Sequence, residues 1–147
     1  MGQWSRDEIE SAFQHYVKTA AEAVAQGDWT AWSELFTEDA RYVEHHYGVF
    51  EGRAAITAWI NSTMAPFPGM HFPIDWHIID EDRGWVVMLA WNRMPDPDGN
   101  GPYQAGSWTL LKYAGNNQWS YEEDMYNPTE FTEMLEAWQQ AREKAKG

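Results

Sequence analysis

AQGDWTAWSELFTEDARYVE, residues 25–44, changes conformation three times within a short span. Gly27 stops a helix, and Asp28 can cap a short second helix that holds Trp29, Trp32, Leu35 and Phe36. The ARYVE segment then opens a strand that continues through HHYG to residue 48. On residues 41–47 strand parity puts Tyr42, Glu44 and His46 on one face and Arg41, Val43, His45 and Tyr47 on the other. Adjacent His45 and His46 therefore point apart and cannot grip one metal ion from this strand. A metal site would have to recruit His71, His77 or distant acids, and no ligand spacing is recognisable. No metal and no cofactor is expected.

Upstream, Ser5-Arg6-Asp7-Glu8 is a capping box. Ile9, Phe13, Tyr16, Val17, Ala20 and Val24 recur at helical spacing, which predicts a first helix to about Gln26. Downstream, a turn over 48–52 leads to a third helix, RAAITAWINSTM, which ends before Pro66. From Met70 the texture becomes that of strands. HFPIDWHIID, the turn EDRG and WVVMLAWNRM form a hairpin. The polar loop PDPDGNGP precedes the strand YQAGSWTLLKY, and AGNN turns the chain into QWSYEEDMY. Asn127, Pro128 and Glu130 mark the start of a last helix with an apolar stripe of Phe131, Met134, Leu135 and Trp138. Helices segregated from consecutive antiparallel strands define an α+β domain over residues 1–147. A strongly curved sheet wrapped against the long first helix would leave a cone-shaped pocket.

The 147 residues include ten Trp, seven Tyr and six Phe, enough for a large core and for an aromatic pocket wall. A net charge of -13 opposes nucleic acid and anionic membranes as partners. Without cysteine there is no disulfide, thiolate nucleophile or thiolate metal site. MGQWSRDEIE lacks an apolar signal core, and Arg6 stands where myristoylation wants Ser or Thr, so a cytoplasmic location is expected. DPDGNG, residues 96–101, matches half of a calcium loop, but Ser107 takes the place of the closing glutamate and the flanks read as strands. A hairpin loop is expected there.

The phrases AQGDWTAWSELFTEDARYVE, GVFEGRAAITAWI and WSYEEDMYNP, in this order of elements, resemble the nuclear-transport-factor-two-like superfamily. The SnoaL-like branch is the most similar, and the resemblance covers nearly the whole chain. It implies the cone-shaped fold, while relatives range over isomerases, cyclases, dehydratases, epoxide hydrolases and proteins of no known chemistry. Aligned from Asp39-Ala40, Glu44 falls near the position of the ketosteroid isomerase general base. Against limonene epoxide hydrolases, Tyr42 and Glu44 fall on the strand pair that positions the attacking water. Both comparisons turn Tyr42, Glu44 and His46 into the cavity, though one inserted residue would bring His45 into register instead. On the last strand Ser120, Glu122, Asp124 and Tyr126 share a face, and Asp124 matches the epoxide hydrolase aspartate.

Glu44 and Asp124 could thus be paired carboxylates, one a base and one an acid, with His46 as a further proton carrier. A carboxylate among aromatics is desolvated, which raises its pKa toward the range of a useful base. The structural alternatives are a solvated or arginine-paired Glu44 and a hydrogen-bonded Asp124 at the start of the closing helix. Tyr16, Tyr42, Trp91, Arg93, Trp108 and Tyr126 are the expected substrate-binding residues. His77, on a face with Asp75 opposite Phe72, Ile74, Trp76 and Ile78, reads as structural or interfacial. The pattern also departs from both enzymes. Trp91-Asn92-Arg93 replaces the Arg and Asp of the hydrolases, Gly106 stands near the isomerase oxyanion-hole acid, and Tyr16 lies one turn out of register with Ala20.

Two classes of function follow. One is a cofactor-independent enzyme doing acid/base chemistry of the isomerase, cyclase or dehydratase type on a small apolar or polycyclic molecule. The other is a non-catalytic small-molecule-binding or interaction module. The outer sheet face, with Tyr121, Met125 or Thr109, leads to the expectation of a homodimer.

Overall fold

A computed structural model describes residues 2–147. The first helix, α1 (Arg6–Gln26), begins as the capping box requires, with Ser5 Oγ accepting the Glu8 N–H at 3.1 Å. It stops at Gly27, whose N–H reaches Ala23 O at 2.8 Å. The second helix is only α2 (Thr30–Ser33), because Phe36 already belongs to strand β1 (Phe36–Glu44). β1 ends at Glu44, so His45, His46 and Tyr47 make a turn and the expected turn residues become β2 (Gly48–Glu51). Helix α3 (Arg53–Met64) keeps the expected bounds. β3 (Ile74–Asp80), β4 (Trp85–Met94), β5 (Tyr103–Gly115) and β6 (Gln118–Met125) follow, then α4 (Pro128–Lys146) under its Asn127 cap.

The strands form one curved, unclosed sheet in the order β2-β1-β6-β5-β4-β3. Every pairing is antiparallel except β1 with β6, which run parallel and place Tyr42 beside Glu122 and Glu44 beside Asp124. On β5, Thr109 lies beside Asp124 and Leu111 beside Glu122. Two rows of side chains therefore cross the concave face, Tyr42–Glu122–Leu111 and Glu44–Asp124–Thr109.

Two bulges shift the inward parity from the sequence expectation. Asp75 is an extra residue between Ile74↔Ala90 and Trp76↔Leu89. Beyond it Trp76 and Ile78 turn outward while His77 and Ile79 turn inward. His77 packs 4.5 Å from the Phe13 ring and meets Glu10 at 2.9 Å, a structural role against α1. Ser120 is the extra residue on β6, between Lys112↔Tyr121 and Tyr113↔Trp119. It returns fully buried Trp119 to the same side as Glu122.

The core lies between the concave face and α1 to α3. Ile9, Phe13 and Tyr16 of α1 meet Val86, Met88, Leu111 and Trp119 of the sheet, and Ile56 and Ile60 of α3 join the same cluster. A smaller cluster of Met70, Met94, Ala105 and Met134 seats α4. Trp4 closes the far end over two turns. Gly84 has φ +72°, and an added Cβ would stand 2.8 Å from the Trp4 ring. Gly115 has φ +83° with its would-be Cβ 2.9 Å from Trp4 Nε1. Only glycine meets both the left-handed backbone and the close approach. Among the described residues no helix is long and apolar enough to cross a membrane. In the 96–101 loop, Asp96 accepts the backbone N–H groups of Asp98, Gly99 and Gly101, and Tyr103 donates to Asp98, as suits a hairpin connection.

Candidate functional site

The curvature leaves a cavity of ≈ 600 Å³ between the concave face, α1, α3 and the first turn of α4. Its wall is built by alternation. Met88, Ala90 and Asn92 face it from β4, Ser107 and Thr109 from β5, and Glu122 and Asp124 from β6. Aromatic rings of Tyr16, Trp29, Trp32 and Trp59 cover the helical side, and Tyr42 faces them from β1.

Three carboxyl groups stand on this wall. Tyr16 Oη lies 3.0 Å from both Glu122 oxygens, and Tyr42 Oη lies 3.0 Å from Glu122 Oε1. Tyr42 also reaches Asp124 Oδ2, while Thr109 donates to Asp124 Oδ1 at 2.8 Å. Glu44 accepts the His46 backbone N–H at 2.7 Å and the Tyr126 hydroxyl at 2.9 Å. Glu44 and Glu122 are nearly inaccessible to solvent, at 4% and 3% exposed.

Burial raises the Glu122 carboxyl well above the usual range, and the neighbouring Asp124 charge raises it further. Burial also raises Asp124, partly offset by the hydrogen bonds it accepts from Tyr42, Thr109 and Glu122. The hydrogen bond between the two acids pulls in opposite directions, up for Glu122 and down for Asp124. Both acids therefore hold protons more tightly than free carboxyls do. Tyr16 and Tyr42 are held well above their ordinary values by burial and then by these acids, so both remain O–H donors. Burial and then the Glu44 charge push Tyr126 up as well.

Of the residues read from sequence, Tyr16, Tyr42, Glu44, His46, Asp124 and Tyr126 line this cavity together. His45 turns away and pairs with Glu123 at 2.6 Å. Trp91, Arg93 and Trp108 are corrected. They sit at the outward positions between Ala90, Asn92, Ser107 and Thr109, on the other face of the sheet. There Trp91 Nε1 donates to Asp75, Arg93 Nε donates to Gln104, and Trp108 packs on Trp76 at 5.1 Å. Thr109 is corrected in the opposite sense, since it faces the cavity rather than the outer surface. Glu122 was missed as a site residue, although it shares a face with Asp124 two positions on. Asn92 was passed over because the Trp and Arg beside it look more chemical. The 30-residue gap between Trp29 and Trp59 hid their convergence on one wall.

The SnoaL-like domain family matches the chain over residues 17–111. No curated protein matches the chain in sequence. Solved structures with the same fold include the epoxide hydrolase/cyclase-like enzyme SalBIII, whose role is in pyran ring formation in the polyether salinomycin. It is 17% identical, with 86% of this chain and 95% of that chain covered at a TM-score of 0.65. A protein from Shewanella denitrificans OS-217, described as a SnoaL-like polyketide cyclase, is 17% identical, covering 88% and 97% at 0.63. A protein of ketosteroid isomerase-like fold from Catenulispora acidiphila DSM 44928, in complex with trimethylamine, is 23% identical, covering 76% and 85% at 0.60. At these identities the likeness is one of fold.

Proposed function

The chain belongs to the SnoaL-like domain family, and from that premise we propose that it is a cofactor-independent enzyme moving protons on a small, largely apolar or polycyclic molecule. The observation that carries this reading is the Glu122–Asp124 pair, two neighbouring acids that share the Tyr42 hydroxyl on the wall of an aromatic cavity and are both raised by burial. Buried like charges whose pKa values are driven apart provide a base and an acid in one place. Asp124 is the base, and the protonated Glu122, with Tyr16 and Tyr42 behind it, returns the proton. Glu44 is the third acid, directly beside Asp124 across the β1–β6 seam, and His46 flanks it. Tyr16, Tyr42 and Tyr126 orient the bound molecule. Isomerisation, cyclisation and dehydration all consist of such proton movements. Epoxide hydrolysis is less well supported, because Arg93 faces away from the cavity.

The test is carbon–hydrogen exchange. Enolisable monocyclic and polycyclic ketones are incubated with the protein in D2O and deuterium at carbon is read by mass spectrometry. Exchange is expected with the natural sequence and about 100-fold less in Asp124→Asn. Exchange that persists alike in Asp124→Asn, Glu122→Gln and Glu44→Gln refutes the assignment. Binding without exchange makes the chain the non-catalytic ligand-binding module of the same fold, a reading favoured by the hydroxyl partners that each acid already has.

We also propose a homodimer through the outer sheet face, where Ile78, Trp108 and Met125 are 63%, 56% and 55% exposed. Single exposed apolar side chains are ordinary, but Trp108 and Met125 are register partners on β5 and β6, and Trp76, two residues from Ile78 on β3, packs on Trp108 across β4, which makes a patch.

A further inference from the structure

We infer that the molecule taken up by the cavity carries a positive charge, an ammonium or similar onium centre on an apolar body. The inference rests on the cavity being the substrate site just proposed, and it names the class of that substrate.

Three buried or nearly buried acids, Glu44, Glu122 and Asp124, face this space, and no lysine or arginine lines it among the described residues. Buried carboxylates are ordinarily matched with a cationic side chain, because hydroxyl donors offset only part of the cost of removing a charge from water. Here no donor to the three acids is a cationic side chain, and the hydroxyls of Tyr16, Tyr42, Tyr126 and Thr109 supply hydrogen bonds. The nearest arginine on the central strands, Arg93, points to the opposite face. No lysine or arginine supplies the compensating charge, so beyond the protons that the acids hold it can arrive only with a ligand.

The rest of the wall suits the same guest. Tyr42 and Trp59 rings stand 4.9 Å apart, Trp59 stacks on Phe50 at 4.5 Å, and Trp29 and Trp32 meet edge to face at 5.2 Å. The faces of such rings attract an onium group and its methyls, most strongly where water is excluded. An anionic ligand would meet the carboxylates without a counter-charge. A neutral one would leave them as they are. The overall charge of -13 adds long-range attraction for a cation.

Protonation is linked to this binding. A cation beside Asp124 and Glu122 favours their ionised forms, so uptake releases protons at neutral pH and strengthens as pH rises. The other titratable groups facing the pair are Tyr16, Tyr42, Glu44, Tyr126, His46 and His71.

The experiment compares benzyltrimethylammonium with neopentylbenzene, its neutral carbon isostere, on the full chain at pH 8 by calorimetry in two buffers of different ionisation enthalpy. The cation is expected to bind at least about tenfold tighter, with proton release that the isostere does not cause. Glu122→Gln and Asp124→Asn are each expected to reduce that preference, read as the ratio of cation to isostere affinity, at least about threefold. Glu44→Gln, outside the pair, gives the same reading if either variant fails to fold. A cavity that binds the isostere as tightly as the cation, or binds neither, overturns the inference. The readout is affinity, so deuterium exchange without cation preference leaves the acid/base reading standing, and cation preference without exchange leaves this one standing.

Discussion

Replacing Tyr42 by phenylalanine removes one oxygen atom from the centre of the site and almost nothing else. Tyr42 is 3% exposed, and its ring contacts with Trp59, Phe36 and Trp32 at 4.9, 6.0 and 6.4 Å survive the change. What is lost is the hydroxyl between Glu122 and Asp124. A hydrogen bond to a charged group contributes about 1.5–3 kcal/mol and a neutral one about 0.5–1.5 kcal/mol. At pH 8, which favours ionisation of Asp124 more than pH 5 does, the variant is expected to be less stable by about 2 kcal/mol, or about 4–8 °C in melting temperature.

The sign of the pH dependence follows from the raised carboxyls. Both acids hold protons more tightly in the folded chain than in the unfolded one. The stability they contribute is complete below the unfolded values near about 4 and is lost as pH rises through the folded ones. Deleting the Tyr42 hydroxyl removes a contact that holds Asp124 down, so that loss becomes steeper. The deficit should therefore shrink to about 1 kcal/mol at pH 5. Urea unfolding followed by tryptophan fluorescence at pH 5 and pH 8 measures both values. A deficit that is absent, equal at the two pH values, or larger at pH 5 refutes the placement of the proton.

Glu122→Gln removes one member of the repelling pair. The decline in stability between pH 5 and pH 8 is expected to flatten in urea unfolding while deuterium exchange falls at least about 100-fold. Gly84→Ala must take φ +72° and push its methyl against the Trp4 ring. A loss of about 1–3 kcal/mol in urea unfolding is expected, with part recovered when Trp4→Ala is added. Ile78→Lys with Trp108→Lys places two charges on the outer face. Sedimentation is expected to show a dimer becoming a monomer, with binding in the cavity unchanged.

The helices and strands were legible because their punctuation is local. Ser5 and Asn127 cap where side-chain chemistry requires, and β4 reads from Trp85 to Met94 without interruption. Alternation puts Tyr42 and Glu44 on one face of β1, the family resemblance turns that face inward, and His46 lines the cavity from the turn beyond the strand. Alternation alone fails wherever the zero of the count is unknown. Trp91, Arg93 and Trp108 were chosen by chemical type, and only the β4–β5 register, with Ala90 opposite Ser107, shows that they face outward. The bulges at Asp75 and Ser120 leave no local trace, since an extra residue is defined by the partner strand. Glu122 was overlooked for another reason. A single strand shows which residues share a side, whereas the meeting of Tyr16, Tyr42 and Glu122 depends on contacts that span 106 and 80 residues.

The parallel seam between β1 and β6 fixes when the site comes into existence. As the chain leaves the ribosome, β2-β1 and β3-β4-β5 can each pair from neighbouring sequence, but each fragment keeps an unpaired edge until β6 slots between them. Such edges invite pairing with other chains, so the seam is the exposed point of a nascent molecule. Glu122 and Asp124 travel on the strand that completes the sheet, and they keep their water until that step. The cost of drying two acids thus falls at the end of assembly, when burial of the rest of the core is available to offset it.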